Sequence, residues 1–103
     1  MNFDKLVRDK IPEIIKNNCE KPITRIANEK EYEEALKLKL QEEVNEFLAN
    51  PSVEEAADIL EVLNAICSQK NIDLSKLEEI RRKKAEERGG FNERIILERT
   101  EKT

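Results

Sequence analysis

Two acidic runs flank a helix-breaking Asn50-Pro51-Ser52 step: Glu42-Glu43-Val44-Asn45-Glu46 before it and Glu55-Ala56-Ala57-Asp58 after it. Carboxylates three and four residues apart share one side of a helix, so each run presents its acids as a group. Brought together without compensation, such groups repel one another or take up protons. A hard divalent cation resolves that conflict, because carboxylate oxygens are the ligands that magnesium prefers. Magnesium also keeps waters and bridges to phosphates, which points to phosphate chemistry. Other routes are closed within one chain. It has no histidine, and Cys19 and Cys67 lack C-x-x-C spacing, which excludes His-built zinc sites and Cys-His nucleophile pairs and leaves two free thiols.

The positions of these acids follow from helical geometry at about 100° per residue. With Leu36 at zero, Phe47, Leu40 and Val44 fall at about 20°, 40° and 80°, while Glu43 lies at about 340° and Glu46 at about 280°. Glu43 thus borders the buried stripe. Glu42 lies further out and stacks one turn from Glu46. In the following helix Glu55 sits inside the stripe formed by Ile59, Val62 and Ile66, with Asp58 at its border. A hairpin centred on the Asn50-Pro51 step sets Glu46 opposite Glu55 and Glu43 opposite Asp58, on helices about 8–10 Å apart. Two simpler assignments compete with a metal site. Ser52-Val53-Glu54-Glu55 matches a capping box, which would bond Glu55 back to the start of its own helix. Lys39, one turn from Glu43, could neutralise it.

These acids need rods to carry them, and the chain supplies them. The spacing predicts a short helix beginning near Asp9, capped by that residue, with Pro12 in its first turn. A long amphipathic helix follows over about Glu29–Ala49, and a third from near Ser52 to about Lys70. The segment NIDLS supplies caps for a fourth, LSKLEEIRRKKAEER, ending at Gly89-Gly90 after a basic last turn. The segments KPITRIAN and FNERIILERT read as short strands that could pair. The expected fold is therefore mainly α: an antiparallel helical-hairpin bundle of about four helices with a small terminal β element. At 103 residues it is expected to be one domain, residues 1–103.

Charged residues make up 41% of the chain, aromatics only 4%, and the net charge is -4, which argues against binding a nucleic-acid polymer. No apolar run is long enough to span a membrane and no secretory signal opens the chain, so a cytoplasmic location is expected. A bound triphosphate would need cations beside the metal. Arg8 and Lys10 at one end, and Arg81, Lys84 and Arg88 at the other, are the candidate phosphate contacts, with Lys5 a further supplier. The last three recur on one helix face, where a plain solvated surface with Glu-Arg pairs is the competing assignment.

These features resemble the all-α nucleoside triphosphate pyrophosphohydrolases of the MazG-like superfamily, whose signature is E-E-x-x-E followed by E-x-x-D. Glu42-Glu43-Val44-Asn45-Glu46 and Glu55-Ala56-Ala57-Asp58 meet it, and KLVRDKIPEII and RRKKAEERGGF are similar to a small phosphoribosyl-ATP pyrophosphohydrolase-like branch. The interval between the acidic pairs is shorter than in many relatives, leaving less room for substrate-contacting loops. The resemblance implies that Glu43, Glu46, Glu55 and Asp58 hold Mg2+, with Mn2+ a possible substitute, and that catalytic Glu42 helps activate the attacking water. It also implies a nucleotide substrate cleaved between its α and β phosphates, to the monophosphate and pyrophosphate, in a house-cleaning role. Phosphoribosyl-ATP hydrolysis in histidine biosynthesis is the alternative within the class. A homo-oligomer, dimer or tetramer, is expected on the same ground, and pairing two hairpins would thicken a thin core. A non-enzymatic helical adaptor or regulatory subunit, its acids in inter-chain salt bridges, is the alternative outside the class.

Overall fold

Capping chemistry sets most of the helix starts in the computed structural model, which describes residues 4–103. Four helices form among them: α1 (Ile11–Asn17), α2 (Glu29–Ala49), α3 (Val53–Gln69) and α4 (Leu74–Arg88). The Asn28 side chain accepts a hydrogen bond from the Glu31 amide at 2.9 Å, opening α2, and Glu29 and Glu31 place negative charge in its first turn. Ser52 accepts from the Glu55 amide at 3.1 Å and opens α3. Asp73 does the same for α4 through the Ser75 amide at 2.9 Å. Helix α4 stops at Gly89, whose φ of +81° is a conformation that favours glycine.

Helix α1 departs from expectation at its start. Lys10, not Asp9, occupies the N-cap and makes no side-chain cap bond. Pro12, whose missing amide costs nothing in a first turn, still lies there, and the helix runs for only 7 residues.

The chain divides into two units, one extending to Asn71 and the other beginning at Ile72. In the first, α2 and α3 pack along each other. Lys70, just beyond the end of α3, bonds Glu33, near the start of α2, at 2.8 Å, so the two helices run antiparallel from the short Asn50–Ser52 connection. Between them lies the core. Leu36 and Cys67 are buried, and Leu40, Val44, Phe47, Ile59, Val62, Leu63 and Ile66 are half-buried around them. Cys67 is a free thiol inside that core and Cys19 a free thiol on the surface.

The second unit holds α4 and the segment that follows it. Every residue of that unit is exposed. The expected terminal β element does not form among the described residues: neither 20–28 nor 95–103 contains a strand. Ile95, Ile96 and Leu97 are consecutive, so they cannot all point to one face of a strand, and they stand 77–84% exposed. Ile23 and Ile26, spaced by three, fall on opposite strand faces and are equally open. No described helix is long and apolar enough to cross a membrane.

Candidate metal centre

The hairpin register brings Glu43 of α2 together with Glu55 and Asp58 of α3. One carboxylate oxygen from each lies within 4.8 Å of the other two. The burial gradient within the group is steep. Glu43 retains only 7% of its surface exposure, while Glu55 and Asp58 are half-buried. Two oxygens, Glu43 Oε2 and Glu55 Oε2, are buried with no hydrogen-bond partner among the described residues. A buried carboxylate oxygen left without a partner is costly, and natural proteins rarely keep one without a reason.

That observation bears on the competing capping-box assignment. Its first half is present, since Ser52 Oγ caps the Glu55 amide. The Glu55 carboxylate is not consumed by it, because Oε2 remains unpartnered. The cap therefore anchors the Glu55 backbone at the first turn of α3 and leaves an oxygen free. Both Glu54 and Glu55 occupy that turn, where the positive end of the helix dipole favours negative charge.

Glu46, expected as a fourth ligand, is not among the three converging acids and is exposed. It still acts on them. The Glu43 carboxyl is pushed above the ordinary glutamate range, first by burial and next by the negative charge of Glu46; Asp58 adds to the rise, while Lys39 opposes it. Glu42 stands outside the three-acid group, with Lys5 at 3.7 Å and Lys39 at 3.8 Å from its Oε1.

Cations approach the acids from two sides. Lys39 Nζ lies 3.5 Å from Glu43 Oε1, the one-turn pairing that the sequence suggested. Arg8 donates from Nη2 to Asp58 Oδ1 at 2.8 Å, a contact across 50 residues that no local pattern could announce. Of the expected phosphate contacts, Arg8 is thus beside the acids. Lys10 is exposed at the start of α1. Arg81, Lys84 and Arg88 all lie on α4 in the second unit. Arg81 is engaged by Glu78 of its own helix through two bonds of 3.0 and 2.6 Å, the solvated-surface pairing.

The donor set suits a hard cation: only carboxylate oxygens, two of them orphaned, on two rigid helices. Glu43, Glu55 and Asp58 would hold it, and Glu46 would add charge at the edge. No protein-family model, curated protein or solved structure matches the chain. The functional reading therefore rests on the residues themselves.

Proposed function

We propose that the α2–α3 hairpin is a Mg2+-dependent nucleotide pyrophosphohydrolase site, with Mn2+ able to replace Mg2+. The observation that carries this reading is the meeting of Glu43, Glu55 and Asp58 within 4.8 Å while two of their group's oxygens lie buried and unbonded. The similarity of the two acidic runs to the MazG-like signature supports hydrolysis of a nucleoside triphosphate at the α-β bond, releasing the monophosphate and pyrophosphate. A bound divalent ion would supply phosphoryl polarisation and a more acidic water. The chain's own residues do the rest. Glu43, Glu55 and Asp58 fix the position of that charge. Glu42, half-exposed and set between two lysines, accepts a proton from the attacking water. Arg8 stands where it can meet a phosphate. The broad house-cleaning substrate class is preferred over phosphoribosyl-ATP, and a homo-oligomer would complete the thin core.

A second reading draws on the Arg8–Asp58 and Lys39–Glu43 ion pairs. In it the hairpin is a metal-free helical adaptor whose acids are balanced by basic side chains.

One experiment separates these readings: pyrophosphate release from a panel of nucleoside triphosphates and phosphoribosyl-ATP, with and without Mg2+, together with thermal unfolding under the same conditions. The enzyme reading expects metal-dependent pyrophosphate release and a metal-dependent rise in Tm, both lost in Glu55→Gln with helix content retained. Orthophosphate as the first product would reject α-β cleavage. A Tm indifferent to Mg2+ and Mn2+, with no turnover on any substrate, would leave the adaptor.

A further inference from the structure

Among the described residues two cations contact the acid cluster, and they are held differently. Lys39 belongs to α2 itself and its side chain is only 20% exposed, so it is fixed relative to Glu43. Arg8 lies outside any helix, its side chain is 57% exposed, and it reaches Asp58 through a single bond. The Arg8 carbonyl accepts from the Ile11 amide at 3.0 Å, which tethers the backbone to the start of α1. The guanidinium can therefore leave Asp58 by side-chain rotation alone, with no helix disturbed. Lys5, on the same short segment, lies 3.7 Å from Glu42. Asp58 is thus claimed twice: by Arg8, and as a member of the only acid cluster of suitable geometry among the described residues.

We propose that Arg8 is an exchange residue, occupying Asp58 as a stand-in cation in the metal-free protein and turning to an anionic phosphate group once Asp58 is taken by a divalent ion. This rests on the metal-site reading above and adds a coupling to it. A guanidinium suits both duties, since its planar fork matches carboxylate and phosphate oxygens alike. Competition for Asp58 weakens metal binding when no phosphate is present. A phosphate that captures Arg8 removes the competitor, so metal and phosphate favour each other's binding, and linkage requires the effect to be reciprocal.

The test uses the full chain and Mn2+ alone, with free ion followed by electron paramagnetic resonance. An exposed ion pair of this kind is worth little, so Arg8→Gln should tighten Mn2+ binding by only about two- to fivefold, and Arg8→Lys by less. In a nitrogen-15 spectrum of the wild-type chain, Mg2+ should move the Arg8 Nε signal toward that of Asp58→Asn, and inorganic pyrophosphate added next should move it again. Unchanged or weaker Mn2+ binding in Arg8→Gln, with Glu55→Gln abolishing binding, overturns the exchange and leaves the metal site standing. Absence of Mn2+ binding in wild type and Arg8→Gln alike removes both.

Discussion

The α2–α3 hairpin and the segment from Ile72 onward are both rich in charge and both built around helices with sound caps, yet they use their apolar residues in opposite ways. In the hairpin two facing helices enclose Leu36 and Cys67 and draw Glu43 into the same interior. In α4, Leu74, Leu77 and Ile80 line a helix whose every residue is exposed. A cap and a good propensity start a helix, but a partner face is what makes it durable. The hairpin has that partner within its own unit, and there the chain withdraws one oxygen each of Glu43 and Glu55 from water.

The contrast should be plainest in substitutions that shorten an apolar side chain. Leu36→Ala is expected to cost about 2–4 kcal/mol, read as a loss of the hairpin's cooperative unfolding in urea, because the void lies in a core with few other buried side chains. Leu77→Ala, on exposed α4, should cost under about 1 kcal/mol. Equal penalties would mean that α4 is buried against something in solution.

Caps should sharpen the same comparison at smaller scale. Ser52→Ala and Asp73→Ala each remove one side-chain acceptor from a helix start, worth about 1 kcal/mol. The first is expected to lower the hairpin's unfolding midpoint. The second should reduce only the helix signal of α4 in circular dichroism, with the midpoint unmoved.

The finest effect concerns pH in the metal-free protein. Glu43 is raised by burial and by Glu46, so the folded state holds a proton that the unfolded chain has already released. Stability from this group is complete below the ordinary glutamate range and declines as pH rises through the raised value. Glu31, Glu33, Asp73 and Glu78 are lowered by hydrogen-bonding partners, so their contributions are lost only on acidification and are level above the ordinary range. A fall in Tm as pH rises above the ordinary glutamate range that disappears in Glu43→Gln would isolate Glu43. An identical slope in that variant would contradict its burial.

Periodicity made the helices legible. Leu36, Leu40, Val44 and Phe47 locate α2 and its inner face, and Asn50-Pro51-Ser52 marks the turn. The same spacing identified Glu43, Glu55 and Asp58 as neighbours, because an antiparallel pair with a short connection has few registers open to it. It also set Glu46 opposite Glu55, but at about 280° on its helix Glu46 faces away from the buried stripe, and it stays exposed outside the three-acid group. Asp9 was expected at a cap that falls to Lys10, a one-residue shift that local pattern does not resolve. The Arg8–Asp58 bond lay beyond any reading of spacing, because it depends on where an irregular segment crosses a hairpin 50 residues away. The absent strands have a different cause: β-branched residues announce a tendency, and a strand exists only when another edge accepts its amides.

Ile95, Ile96 and Leu97 stand open to water as an uninterrupted greasy triplet. Such runs seed intermolecular stacking when chains crowd. Here Glu93 and Arg94 precede the triplet and Glu98 and Arg99 follow it, two opposite charges at each border. Charges so placed act as gatekeepers, holding neighbouring chains apart at the point where the triplet would otherwise stack.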